Sequence, residues 1–424
     1  MTNKPLGFWA CWSLTVGVMV GSGIFLLPSV LAPFGTLSFL GWVVTAGGSI
    51  LIALVFARLS SRITKSGSVY VYSRDAFGDL PGFLIAWSYW TSYWVAIPGG
   101  AIAFVGYLSV FHPDLSDSRL MQLGVGLVVI WTSILLNIKG VKEATFVQLV
   151  LTVLKLLPLA LIIVVGVASG STDNFPDFNP KELPVFEALA TTVLLTLWAF
   201  SGMEAGAISA GDVQNPEKTV PRAIVFGTLT VAFIYIGSTA AVMSLVPAEV
   251  LVNSTAPFAD AAASLGAWGP TVIAIGALFA TYGSMHGIIY VAGQMPMALA
   301  VDRFAPKTFA RKNSGGAPFT ALLVVGVLAS LLLIGNYSKG LISAYRLIIT
   351  MSTLAFLLPL VVCSLAELKH SWRSSRGWAR VALIALLYSL FAVIGSGWEV
   401  ISWGVLLMLA GLPIYWWSRG QSKA

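Results

Sequence analysis

Residues 17–28 read GVMVGSGIFLLP. They sit inside an apolar stretch running from about residue 8 to 33, long enough to cross a bilayer, which takes about 20 apolar residues. Gly21, Ser22 and Gly23 fall in its middle. At that depth no water can satisfy backbone polar groups, so a spanning helix keeps its hydrogen bonds closed. Glycine frees the backbone to leave the helix, and freed amides and carbonyls are tolerated there only when they line a cavity or are packed in protein. The stretch therefore predicts a discontinuous helix with a ligand's polar groups at the break. A glycine-mediated helix contact or a plain kink is the bland alternative, since glycine is common in membrane helices.

The rest of the chain supplies the setting. Of 424 residues, 57% are hydrophobic and 10% charged, and mean hydropathy is +0.88. A soluble domain carries roughly 25% charged residues, so the bilayer is the solvent. Twelve apolar runs are legible, at about 8–33, 36–61, 81–111, 120–138, 143–169, 186–210, 222–246, 266–300, 317–335, 341–366, 378–397 and 399–418. They predict an all-α integral membrane protein forming a single polytopic unit over 1–424. The early Lys4 is followed by a long apolar span with no A-x-A-like cleavage site, which reads as a retained first helix. Cys11 and Cys363 lie within apolar runs and suggest neither a disulfide framework nor a metal site.

The net charge of +7 is explained by placement. With twelve spans, nineteen of the 24 Lys and Arg fall on the side of the N-terminus, four (Arg119, Lys181, Lys339, Arg346) fall opposite, and Lys155 lies within a span. This positive-inside bias predicts cytoplasmic termini in a cell (inner or plasma) membrane and removes the need for a nucleic-acid partner.

A second interruption occurs in WAFSGMEAGA, 198–207, where Gly202 and Gly206 bracket Glu204. It lies in the sixth run, the counterpart of the first if runs 1–5 and 6–10 are related halves. An odd number of spans per half makes such a repeat inverted, and interrupted helices in matching positions point to a transporter's binding site. Repeat one would cover about 8–169 and repeat two about 186–366, with two appended helices at about 378–418.

These motifs, with SGSVYVYSRDAFG at 66–78, LWAFSGMEAGAISAGDVQNPEKTVPRAI at 197–224, SGGAPFTALLVVG at 314–326 and VIGSGWEVISWG at 393–404, resemble the amino acid–polyamine–organocation (APC) superfamily. Within it the pattern is most similar to bacterial basic amino acid/polyamine antiporters of the arginine/agmatine type. The resemblance implies a LeuT-like five-plus-five inverted repeat with discontinuous helices 1 and 6. It further implies a secondary active amino acid transporter working by alternating access, proton-linked or exchange-driven and independent of sodium, needing no cofactor. By the same resemblance, backbone at Gly21, Ser22, Gly23 and Ile24 would hold the substrate carboxylate. Backbone at Trp198, Ala199 and Ser201 would accept from its ammonium, with Trp198 as a covering gate. Tyr89, Ser92, Tyr93, Ile288 and Ser352 would line the side-chain pocket. Relatives include dimers and monomers, so a homodimer stays open. The arginine exchanger has asparagines where this chain has Val18 and Ile97 and a tryptophan at Ile288, which favours a smaller or more apolar substrate.

Two intramembrane charges are candidates for coupling. Ionisable residues there are expensive and mark function or pairing. Glu204 is the carboxylate well inside a span; it is either a proton-exchanging group, as in the resembling antiporters, or a static partner of freed backbone. Lys155 is either a fixed brace standing where sodium-coupled relatives place their ion, or a proton carrier. His286 reads as a packed, hydrogen-bonded residue, and Asp302–Arg303 as a solvated loop pair. An enzyme is disfavoured because only three histidines occur and no nucleophile elbow or HExxH is present. A channel lacks a charge ring or filter loop.

Overall fold

A computed structural model describes residues 7–63, 69–139, 145–204, 213–314 and 316–423. Among the described residues the regular structure is helical: α1 (Phe8–Met19), α2 (Ser22–Leu31), α3 (Leu37–Arg62), α4 (Val69–Phe77), α5 (Asp79–Leu108), α6 (Arg119–Lys139), α7 (Thr145–Ser169), α8 (Val185–Ala199), α9 (Pro216–Leu245), α10 (Pro257–Ala261), α11 (Trp268–Val301), α12 (Phe319–Asn336), α13 (Leu341–Ser371), α14 (Arg376–Gly395), α15 (Trp398–Leu409) and α16 (Leu412–Lys423). Among the described residues, ten helical segments are long and apolar enough to cross a membrane. The pair α1–α2 passes the same test together but is bent by 41°.

That makes eleven candidate spans against twelve apolar runs. The difference is the run at 186–210, which is helical over only the 15 residues of α8. The helix stops at Ala199 and gives way to tight turns through Glu204. Its interruption is what shortens it. Residues 205–212, including Gly206, lie outside the described residues, as do 64–68, 140–144 and 315.

The first helix breaks at Val20–Gly21, where Val20 leaves helical geometry (φ −79°, ψ 102°). Gly21 is required there by packing: a Cβ would collide with the side chain of Ser284 on α11. All ten residues of α2 are buried, as expected of a helix that is apolar on every side and enclosed by protein. Its neighbours are α5, α8, α9, α10, α11 and α13, while α1 packs on α7, α9 and α11. The interrupted helix is thus the hub of the bundle. Leu383, Ile384, Leu387 and Ile394 of α14 and Trp398, Trp403 and Leu406 of α15 are exposed, which places these helices at the lipid-facing rim.

Candidate functional site

Breaking a helix at membrane depth leaves carbonyls that need donors. Here side chains from four other helices supply them. Tyr235 Oη (α9) donates to Met19 O at 2.7 Å. Tyr345 Oη (α13) donates to Ser22 O at 2.7 Å and Gly23 O at 3.1 Å. Tyr107 Oη (α5) donates to Phe25 O at 2.7 Å. On α7, Lys155 Nζ donates to Gly17 O at 3.1 Å and Thr152 Oγ1 to Ser13 O at 3.0 Å. The carbonyls are therefore largely spoken for. The amides are not: Ser22, Gly23 and Ile24 head α2, where N–H groups lack intrahelical partners, and none has a partner among the described residues.

The sixth-run break meets this helix start directly. A Cβ at Gly23 would lie 3.2 Å from the Trp198 ring and 3.3 Å from Ala199 Cα. Phe200 and Ser201 amides turn back to Leu197 O and Trp198 O, both at 3.0 Å. Gly202 then adopts φ +97°, a conformation open to glycine, and points its missing Cβ at Val18. The carbonyls of Ala199 and Ser201 receive no backbone amide among the described residues.

Between the two breaks lies a cavity of about 40 Å³, lined by residues that include Val18, Met19, Ser22, Gly23, Ser92, Tyr93, Ala96, Trp198, Ala199, Ser201, Ser284, Ile288 and Ser352. At 10–15 Å³ per water centre it has room for roughly three waters. Trp198 Nε1 donates to Ser352 Oγ at 3.1 Å, which donates to Ser92 O at 2.7 Å. The Trp198 ring meets Tyr345 edge-on at 5.7 Å. The indole is thereby fixed across the cavity. Most of the proposed contact residues converge here, but three stand off. Ile24 is fully buried beside the cavity and offers only its amide, Gly21 faces Ser284, and Tyr89 sits one layer behind Tyr93.

Tyr89 is instead committed to Glu204. Its Oη donates to Glu204 Oε1 at 2.5 Å and lies 2.8 Å from Tyr93 Oη, which reaches the same oxygen at 3.3 Å. Glu204 is wholly buried, and its Oε2 has no hydrogen bond among the described residues. A chain of hydroxyls thus links the cavity wall to a buried carboxyl group.

Ile97 is fully buried away from the lining, whereas Val18 and Ile288 belong to it. His286 turns from the cavity toward α6, with Asn137 Nδ2 at 2.9 Å from its Nδ1. Asp302 departs from the expected solvated loop pair. It accepts from Tyr70 Oη at 2.5 Å and Arg74 Nη1 at 2.9 Å, both on α4, because the end of α11 is brought against that helix. Ser284 and the backbone-binding tyrosines carry no motif signal; only the contacts reveal them.

Comparison with known proteins agrees with this architecture. A family described as Amino acid permease matches residues 6–417. The chain is 29% identical to the putrescine transporter PotE of Escherichia coli K12, over 97% of this chain and 96% of the relative. It is 30% identical to PotE of Haemophilus influenzae, over 97% of each. It is 31% identical to the cadaverine/lysine antiporter of E. coli K12, over 78% of this chain and 74% of the relative. This is a multi-pass membrane transport protein, not an enzyme, and the chain belongs to the amino acid permease family of the APC superfamily.

Proposed function

We propose that the protein is a sodium-independent secondary transporter that exchanges or co-transports small amino acids with protons by alternating access. The observation that carries this reading is the meeting of two interrupted helices at one small cavity, where amides at the head of α2 and the carbonyls of Ala199 and Ser201 have no backbone partner among the described residues. A zwitterion needs that pair: amides at a helix N-terminus suit its carboxylate, and carbonyls suit its ammonium. In this reading α1–α7 and α8–α13 are inverted repeats, α14–α16 are appended, and both termini face the cytoplasm in a cell membrane.

The cavity favours a small, uncharged side chain. Val18, Ala96 and Ile288 contribute no polar group to it. On the side of the Trp198–Tyr345 lid, Lys181 Nζ and the Arg346 guanidinium lie 5.1 and 5.2 Å from the Phe34 ring. Neither makes an ion pair among the described residues. Crowding by burial and by Arg346 lowers the Lys181 pKa. Two neighbouring cations attract a carboxylate and repel a diamine.

A second reading, exchange of basic amino acids or polyamines, is supported by the transport activities in the relatives' names and by Glu204 as a buried anion beside the cavity. The two readings part in proteoliposomes loaded with unlabelled amino acids or diamines. Uptake of label stimulated by internal alanine, serine or another small neutral amino acid supports the first; stimulation confined to arginine, lysine, ornithine or putrescine supports the second. Flux of equal size into empty liposomes that an imposed pH gradient does not change would indicate a channel and remove both.

A further inference from the structure

A second cavity, of about 630 Å³, opens at the end of the bundle that carries the N-terminus, between α1, α3, α9 and α14. It is distinct from the central one and has two zones. Its rim holds Arg58, Arg222, Glu217 and Trp378. The Arg58 guanidinium lies 5.3 Å from the Trp378 ring centroid, and Arg58 Nε is buried without a hydrogen bond among the described residues. Neither arginine makes an ion pair within the described residues, and Glu217, although it shares the rim, pairs with neither. The rim therefore keeps a net positive charge and unused guanidinium donors.

Below the rim the wall is apolar. On α9, Phe226 and Leu229 line the cavity beneath Arg222 at helical spacing, and Phe233 continues their stripe beyond it; the three are 48%, 45% and 73% exposed. Residues three or four apart share a helix face, so one stripe carries a cation at its head and an uncovered apolar track beneath. On α3, Leu54 precedes Arg58 by one turn and lines the same cavity. The two helices run in opposite directions, so both tracks descend from the charged rim toward the middle of the bundle.

We infer that this cleft binds an anionic glycerophospholipid, its phosphate between Arg58 and Arg222 and an acyl chain along the Phe226–Leu229–Phe233 stripe. Guanidinium groups bind phosphate oxygens in charge-assisted pairs, and basic pockets between membrane helices select such headgroups. A free phosphate ion would satisfy the rim alone, whereas a lipid seats its headgroup on the rim and its own chain on the stripe beneath.

The test is native mass spectrometry of the full-length protein in detergent, offered equal amounts of dioleoyl phosphatidylglycerol and dioleoyl phosphatidylcholine. Phosphatidylglycerol is expected to be retained selectively. Arg58→Gln and Arg222→Gln should each weaken its retention roughly five-fold, the equivalent of about 1 kcal/mol per basic residue at an anionic surface. Arg373→Gln, an exposed arginine at the same end but outside the cleft, should leave retention unchanged. Equal retention of both lipids, an equal loss in Arg373→Gln, or displacement of the lipid by inorganic phosphate alone would each overturn the assignment. Arg222 is exposed, so its variant carries the test should Arg58→Gln fail to fold.

Discussion

Tyr89 Oη donates to Glu204 Oε1 at 2.5 Å, and the other carboxyl oxygen, Oε2, is buried with no hydrogen bond among the described residues. One oxygen is held by two tyrosines, and the other has no side-chain partner among the described residues. Glu204→Gln keeps the acceptor for Tyr89 and Tyr93 and abolishes titration. The variant should fold normally, and its exchange rate in proteoliposomes should lose the wild type's dependence on pH. Tyr89→Phe removes a hydrogen bond to a group that can be charged, worth roughly 1.5–3 kcal/mol, and should slow exchange by about tenfold or more. A Glu204→Gln protein with the wild-type pH profile would end the proton assignment.

Gly23 is a contact position between the two interruptions. With a Cβ 3.2 Å from the Trp198 ring and 3.3 Å from Ala199 Cα, Gly23→Ala requires both neighbours to shift by a few tenths of an ångström. Overpacking of this kind costs about 1–3 kcal/mol, and it acts on the wall of the cavity. The prediction is a monodisperse protein with a lowered apparent affinity in a thermal-shift titration with its substrate. Gly21→Ala, which would drive a methyl into the Ser284 side chain, should be the more damaging of the two. Unchanged affinity in Gly23→Ala would mean the two breaks do not form the binding wall together.

Asp260, on the short α10 between two spans, offers a pH test. Burial raises its pKa above the ordinary carboxylate value, although the Ser254 hydroxyl donates to it and opposes that shift. A raised carboxyl pKa means the folded protein prefers the protonated form. The stabilising contribution is complete below about pH 3.8 and disappears as pH rises through the higher folded value. Asp260→Asn should therefore raise the melting temperature at neutral pH and make little difference at pH 3.8. A variant less stable than wild type at neutral pH would show that the ionised group is favoured.

The legible part of this fold follows from two kinds of signal. Long apolar runs state their own length, so ten spans stand close to where hydropathy puts them, and the Gly-Ser-Gly triplet gains its meaning from a second interruption at the matching place in the sixth run. The sixth run was harder to read, because hydropathy continues through Phe200 and Met203 while the helix ends at Ala199. Pocket membership was legible only as far as backbone position carries it. Tyr89 and Tyr93 are one helical turn apart on α5, yet only Tyr93 reaches the cavity, a distinction set by the rotation of α5 against Glu204. The pairing of Asp302 with α4 joins residues 228 positions apart, and no local pattern reports that.

That pairing gives a prediction about conformation. Arg74 bridges Asp79 Oδ1 at 2.8 Å and Asp302 Oδ2 at 2.9 Å, tying α4 to the start of α5 and the end of α11. Both ion pairs are more than a third exposed, so each contributes at most about 1 kcal/mol. That is too little to fold the protein but enough to bias two conformations several-fold. Cys363 on α13 is fully buried in this conformation. In a Cys11→Ser background, a maleimide should label Cys363 faster in Asp302→Asn than in wild type, and high salt should produce part of the same effect. Equal labelling rates would show that α4 does not help to close this end.

Lys155 Nζ donates to Gly17 O at 3.1 Å, two residues before the first helix ends, and its Cε would lie 3.4 Å from a Cβ at Gly283 on α11. Its amino group thus sits between α1 and α11, bound to the part of α1 that leads into the break. Lys155→Met fills a similar volume without the charge and leaves the Gly17 carbonyl unsatisfied, a penalty of roughly 1–3 kcal/mol. Transport should fall by more than about tenfold while the protein remains folded. Gly283→Ala adds a methyl at ordinary contact distance, in a helix that gains up to about 1 kcal/mol from the exchange, and should transport normally. Replacing external sodium with choline should leave wild-type uptake unchanged, since the ammonium already occupies the space between the two helices. Sodium-dependent uptake by the wild type, or full activity in Lys155→Met, would show that the lysine does not take the place of an ion.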